Sequence, residues 1–395
     1  MTSTDRNPTA RVQTVADWLV GGAKGASLPQ DVVRMLGERL MACGVPLDRI
    51  AVFVTTPHPN VMGRSFTWRP GAEVEIDEAP YAILDSEEYR ASPNPVVIRT
   101  AQELRRRIED PACPGDFGIL AELRAEGMTD YFVQPLNFTT GEVHVVSWAT
   151  RQPGGFGAAD IEALQAIRPA LSRIAEVFAL RRTARNILDA YLGKYSGERV
   201  LKGLIRLGDG ERINAVIWFC DLRGSTPLAE SRTPEEFLNL LNKYFACTAG
   251  AVLAHGGEVL RFIGDAVLAI FPIAADGAAA SRTALAAAQD AIGRMAALNE
   301  RRQGRGDSRL EFGIGLHVGE VLYGNIGVPE RIEFTVIGQA ANEAARIESL
   351  CKTLGVPLVL SADFVRALPG PWISLGRHAL RGVGEPQEVF TLPSH

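Results

Sequence analysis

Residues 258–271, EVLRFIGDAVLAIF, hold two apolar runs separated only by the pair Gly264-Asp265. Apolar segments this short, joined by a Gly-Asp turn, predict a hairpin of two strands. The hairpin is bracketed by two helical stretches, PEEFLNLLNKYFACTAGAVLAHG before it and ASRTALAAAQDAIGRMAALNERRQ after it. An apolar strand, AVIWFC (215–220), precedes the first helix, and LEFGIGLHVG follows the second. A further hairpin, a helix starting near Gly338 and more strands complete the series. The order β-α-β-β-α-β over residues 211–395 predicts an α+β fold with a ferredoxin-like core.

Two acidic residues stand at the ends of these strands. Asp221 follows AVIWFC and opens the loop DLRGST, and Asp265 lies in the hairpin turn. In a ferredoxin-like sheet the end of the first strand lies beside the next hairpin, so the two can meet. Carboxylates brought together repel, and one tends to hold a proton unless cations neutralise them. Oxygen ligands of this kind suit Mg²⁺ or Mn²⁺, which complete their shells with water and substrate phosphate. Taken singly, each residue has a plainer reading: a helix-capping Asp at 221 and a turn Asp at 265.

The chain of 395 residues is long enough for two or three domains. A net charge of −5 gives no sign of a basic nucleic-acid or membrane-binding surface. No signal-peptide pattern or apolar run of roughly 18–20 residues is present, so the expectation is a cytoplasmic protein without a membrane span. Five cysteines (Cys43, Cys113, Cys220, Cys247, Cys351) are scattered without CxxC spacing, as expected of reduced thiols.

Before residue 158 helix-like and strand-like segments alternate. Val32 to Cys43 has helical periodicity, AVFVTT (51–56) reads as a strand, and AQELRRRIED (101–110) as a helix. YFVQPLNF (131–138) and EVHVVSWAT (142–150) read as strands joined by a turn, with PGGFG (153–157) as a breaker. This predicts an α/β domain over residues 1–157. Leu164, Ile167, Leu171, Ile174 and Phe178 then alternate by threes and fours. That stripe fits either a parallel dimer seam or a helix packed on its own domain. Residues 158–210 are thus a helical connector, with GLIRLGDGERI (203–213) as linker.

WFCDLRGSTPLAE, HGGEVLRFIGDAVLAIFP, GIGLHVGEVLYGNIG, FTVIGQAANEAARIESL and LRGVGEPQEVF occur in this order. Together they resemble successive blocks of the class III adenylate/guanylate cyclase catalytic domain, over nearly all of 211–395. The resemblance implies that ATP is converted to cyclic AMP and pyrophosphate by attack of the ribose 3′-hydroxyl on the α-phosphate. It implies two divalent ions, Mg or Mn, held by Asp221, Asp265 and the backbone carbonyl of Leu222. Asn342 and Arg346 match the pair that orients the ribose and meets charge on the α-phosphate, and they lie i, i+4 on one helix face.

Arg261 and Thr335 match the two base-reading positions, usually Lys and often Asp in adenylate cyclases. A cation can donate to adenine N1 and a threonine hydroxyl can accept from the exocyclic amine. Guanylate cyclases usually place Glu at the first position, so the pair favours ATP. Thr335 is similar to a subclass pairing Lys with Thr, some of whose members respond to bicarbonate. Arg381 stands at a phosphate-binding Lys position. Gly313 stands where many members carry a triphosphate-contacting Arg, so one positive contact is missing or supplied elsewhere. In this family the metal aspartates and the Asn/Arg pair of one site come from opposite subunits, which implies a homodimer with shared active sites.

GMTDYFVQPLNF, EVHVVSWAT and PGGFGAADIEALQAIRPALSRIAEVF are similar to parts of a GAF-type sensor domain, with a closing helix reaching about residue 180. This implies an unidentified small ligand or partner there; His58, Trp68, Tyr131, His144 and Trp148 could line a pocket, though each more often reads as a core or strand-surface residue. The alternatives are a catalytically silent nucleotide-binding or dimerisation module and a cyclase preferring GTP. A diguanylate cyclase would need a GGDEF-like segment, which the sequence does not contain.

Overall fold

The computed structural model describes residues 8–381 and 384–393. The chain divides into two compact units, Met1–Ala190 and Tyr191–His395. In the first, α1 (Pro8–Arg11), α2 (Gln13–Val20) and α3 (Pro29–Ala42) precede β1 (Arg49–Thr55), β2 (Val61–Trp68) and β3 (Glu75–Pro80). There follow α4 (Glu87–Arg90), α5 (Asn94–Thr100), β4 (Leu104–Arg106), α6 (Ile119–Ala125), β5 (Asp130–Asn137), β6 (Val143–Thr150) and α7 (Ala158–Leu192). The strands form one antiparallel sheet in the order β3-β2-β1-β6-β5-β4. Side chains alternate between its faces. Val146 and Trp148 join Leu36, Leu40 and Ile167 of α3 and α7, while Val145 and Ala149 join Val97 and Leu120 of α5 and α6. Burial on both faces is why β5 and β6 read as near-continuous apolar runs.

One expectation for this unit is corrected, and two open readings narrow. Residues 101–110 are not helical: α5 stops where Ala101 takes a left-handed φ of 52°, and Leu104–Arg106 pairs with Tyr131–Val133. Arg105, read as part of a helix, instead forms an ion pair with the buried Asp130 at 2.6 Å. The stripe Leu164, Ile167, Leu171 and Ile174 is buried in the unit's own core, which favours the packing-helix alternative for that stretch. Farther along α7, Ile187 and Tyr191 are 47% and 85% exposed. Of the candidate pocket residues, Trp68, Tyr131, His144 and Trp148 are buried core side chains, and His58 Nδ1 accepts from the N–H of Asn60 and Val61 in a turn.

His144 carries a testable consequence. Its Nδ1 accepts from the Thr55 N–H at 3.3 Å, its Nε2 has no hydrogen-bond partner, and burial pushes its pKa down. The folded unit therefore keeps the imidazole neutral to a lower pH than the unfolded chain, which protonates near pH 6.5. As pH falls through that value the unfolded state binds the extra proton, so stability is lost, by at most about 1.4 kcal/mol per pH unit. Urea unfolding is expected at lower denaturant at pH 5.5 than at pH 7.5. His144→Gln should reduce that difference; an undiminished difference would assign the acid sensitivity elsewhere.

The second unit opens with α8 (Lys194–Leu201) and β7 (Gly210–Leu222), followed by α9 (Ser225–Glu230), α10 (Pro234–Cys247) and α11 (Ala249–Ala254). The hairpin is β8 (Glu258–Ile263) and β9 (Ala266–Pro272), and α12 (Gly277–Gln303) leads to β10 (Phe312–Val328) and β11 (Arg331–Ile337). α13 (Gln339–Leu354), β12 (Leu358–Ser361), α14 (Ala362–Ala367), β13 (Ile373–His378) and β14 (Gln387–Thr391) complete it. The sheet runs β13-β14-β12-β10-β7-β9-β8, with β11 paired to β10. β9 lies between β7 and β8 and is antiparallel to both, so β7 and β8 run parallel with a strand between them. That is the split βαβ arrangement of the expected ferredoxin-like core.

Residues 203–213 are not a free linker. Strand β7 already begins at Gly210, and Asn325 Nδ2 donates to the carbonyls of Leu204 and Arg206 at 3.0 and 3.1 Å. Ahead of it, the Ser196 N–H donates to the buried Glu258 carboxylate at 2.9 Å, and the Ser196 and Tyr323 hydroxyls lie 2.7 Å apart. The five cysteines are free thiols, and burial pushes those of Cys220 and Cys351 up, so both stay protonated. No helix among the described residues is long and apolar enough to cross a membrane.

Candidate active site

Strand alternation along β7 decides which residues face which layer. Val216, Trp218, Cys220 and Leu222 pack with α10, α11 and α12, whereas Ala215 and Ile217 pack with Ala340 and Ala344 of α13. Asp221 belongs to the second set and lies next to the end of the strand on the α13 side. Strand β9 pairs with β7 up to Cys220↔Val267, which carries the β8–β9 turn alongside the end of β7. Gly264 takes a φ of +62° in that turn, a conformation glycine adopts without cost. Asp265 is thereby placed within hydrogen-bonding reach of the Asp221 carboxylate. Desolvation first, and the neighbouring Asp265 charge second, raise the Asp221 pKa, while Arg223 opposes both.

Two half-buried carboxylates, with the Asp265 charge raising the proton affinity of Asp221, form a site a cation would relieve. Among the described residues no group of three or more His, Cys, Asp or Glu could hold a metal ion. A pair of acids is nonetheless the usual protein share for Mg²⁺, whose remaining ligands are water and substrate phosphates. The donor set therefore fits Mg²⁺ or Mn²⁺ and does not fit a closed structural zinc site.

α13 lies close over β10 because positions 313 and 315 are glycines. A Cβ at 315 would stand 2.6 Å from the Glu348 amide nitrogen, and one at 313 would collide with the Arg223 guanidinium and the Glu348 carboxylate. Arg223 thus occupies the space a side chain at 313 would take. It is fixed there by an ion pair with Glu348 and a 3.0 Å hydrogen bond to the Glu348 carbonyl, with its Nη1 3.8 Å from Asp221. Glu348 is buried, and its pKa is pushed up to about 7 by desolvation, which Arg223 counters and Asp221 and Asp265 reinforce.

Asn342 and Arg346 lie on the opposite face of α13 from Ala344, Ile347 and Glu348, with Asn342 exposed and Arg346 half-buried. Among the described residues neither side chain has a hydrogen-bond or ion-pair partner in its own chain, and neither is joined to the carboxylate pair. Leu222 is buried next to Asp221. Arg381 is exposed in the segment between β13 and β14. Gly382 and Val383 of the same LRGVGEP block lie outside the described residues.

Arg261 and Thr335, the positions expected to read the base, are linked through Glu333, a residue the sequence did not single out. Arg261 on β8 forms an ion pair with Glu333 on β11 through both Nε and Nη2. Glu333 lies two residues before Thr335 on the same strand and hence on the same face. That spacing was the available signal. Thr335 is only 3% exposed, and its hydroxyl is buried without a hydrogen-bond partner. A buried, unpartnered hydroxyl is costly unless something completes it.

Residues 210–369 match the adenylate and guanylate cyclase catalytic domain family. An adenylate cyclase of Anabaena cylindrica is 36% identical over 168 residues, which are 42% of this chain and 33% of that protein. An uncharacterized protein of Mycobacterium tuberculosis is 38% identical over 211 residues, 52% of this chain and 37% of its own length. The chain therefore spans little more than a third of the length of the curated relatives it matches. A solved bacterial light-regulated adenylyl cyclase aligns with a TM-score of 0.47 at 27% identity, covering 58% of this chain and 64% of that one. A solved guanylyl cyclase aligns with a TM-score of 0.41 at 30% identity, covering 46% and 92%. Residues 210–369 are a class III adenylate/guanylate cyclase catalytic domain.

Proposed function

We propose that this domain converts ATP to 3′,5′-cyclic AMP and pyrophosphate, in active sites shared between two copies of the chain. The facing carboxylates of Asp221 and Asp265 carry the reading. With the backbone carbonyl of Leu222 they would hold two divalent ions, which when bound make the ribose 3′-hydroxyl more acidic and neutralise the triphosphate. In the reaction the 3′-oxygen bonds to the α-phosphorus, its proton leaves, and the bond to the pyrophosphate oxygen breaks. Arg346 places a guanidinium where negative charge builds on the α-phosphate, and Asn342 orients the ribose. Arg223 and Arg381 supply positive charge toward the phosphates.

The base is read by Arg261 and Thr335. The buried Thr335 hydroxyl gains a partner when it accepts from the adenine amine. Glu333 favours a second reading, because a carboxylate there accepts from the N–H donors of guanine. Its ion pair with Arg261 occupies it, so GTP has to break that pair first. This favours ATP.

Sharing of the site is supported by the unpartnered Asn342 and Arg346 side chains, on a helix face turned away from their own chain's core. The test is complementation. Asp221→Asn and Asn342→Ala chains are each expected to be inactive, and mixing them should restore up to about a quarter of wild-type activity through hybrid dimers with one intact site. No recovery after mixing and re-equilibration would contradict shared sites. We propose further that the first unit is a GAF-like sensor whose occupancy biases the catalytic dimer.

A further inference from the structure

The first unit contains a cavity of about 220 Å³ between α3, α7 and the strands β1 to β3. Its wall is apolar, including Val33, Val52, Phe66, Leu171, Ile174 and Phe178. The volume is below the roughly 300–1,000 Å³ usual for drug-sized ligands, which limits an occupant to a single chain or ring. Two arginines, Arg64 and Arg182, also line it. Arg64 is neutralised by an ion pair with Glu78 across β2 and β3. Arg182 has no ion pair or hydrogen bond among the described residues. Desolvation and the guanidinium of Arg64 hold its pKa below the usual arginine range.

Arg182 is thus a cation, on the wall of an apolar cavity, that Glu78 and Asp189 favour from a distance but that neither pairs with. We propose that this cavity binds a small amphipathic monocarboxylate, its hydrocarbon chain among the apolar residues and its carboxylate on Arg182. The polar groups of the wall are few, and beyond the two arginines include Gln30 and Thr56, so a sugar or nucleotide would leave most of its own polar groups unpaired. The assignment stands independently of what the catalytic domain does.

Isothermal titration of the full chain with octanoate, 1-octanol and octylamine tests it, all below their aggregation concentrations. Octanoate is expected to bind once per chain, octanol about tenfold more weakly, and octylamine not at all. Arg182→Gln should weaken octanoate about tenfold and leave octanol unchanged. Ala179→Trp, filling the cavity, should remove both. Octanoate that does not bind, that octylamine matches, or that Arg182→Gln leaves unaltered overturns the proposal. Because Arg182 is exposed, its variant decides the matter even if the tryptophan variant does not fold.

Discussion

Replacing Asp265 by alanine is expected to lower cyclic-nucleotide formation by about a thousandfold or more while leaving the fold intact. The size follows from what the pair does: half the side-chain donor set for the ions is lost, and the triphosphate charge is left without compensation. The intact fold follows from the geometry. Asp265 lies in a half-buried turn after Gly264, and Asp221 is held in a state of raised proton affinity partly by the Asp265 charge. Removing one of two repelling carboxylates relieves that repulsion, so the thermal midpoint should stay level or rise. A large fall in the midpoint would assign Asp265 a structural role. Retention of full activity would remove the two-ion account.

Arg261→Ala is expected to reduce kcat/KM for ATP by about 10- to 100-fold and to raise the GTP-to-ATP ratio. The substitution removes the proposed donor to adenine N1 and at the same time frees the Glu333 carboxylate, whose acceptor oxygens then suit guanine. The double variant Arg261→Ala with Glu333→Ala should lose the gain for GTP without recovering ATP. Steady-state kinetics with both nucleotides separates these effects. An unchanged GTP-to-ATP ratio in Arg261→Ala would place base selection elsewhere.

The catalytic half was legible because its signals are local and ordered. A Gly-Asp turn between two apolar runs can form little other than a hairpin, and Asp221 directly follows an apolar strand, so the carboxylate pair follows from the topology. Glu333 was not legible because its role depends on an arginine on another strand, and in RIEFTVI it reads as an ordinary exposed position of a strand. The place of Arg223 over Gly313 needed the close approach of α13 to β10, which no residue pattern announces. In the first unit Trp68, Tyr131 and Trp148 were open to a pocket or a core reading, because large aromatic side chains serve in both. Their bulk fills the core, and the cavity is bounded mainly by other apolar residues from α3, α7 and three strands. The run 101–110 has helix-forming composition, but the left-handed Ala101 and the free edge of β5 draw it into the sheet.

The central claim is tested most directly by identifying the product. The purified chain with Mn²⁺ or Mg²⁺ is offered equal concentrations of ATP and GTP, and the cyclic nucleotides and pyrophosphate are quantified by mass spectrometry and phosphate release. The expected result is 3′,5′-cyclic AMP in excess over cyclic GMP, with one pyrophosphate per cyclic nucleotide. Cyclic GMP as the main product, or no cyclic nucleotide from either substrate, would contradict it.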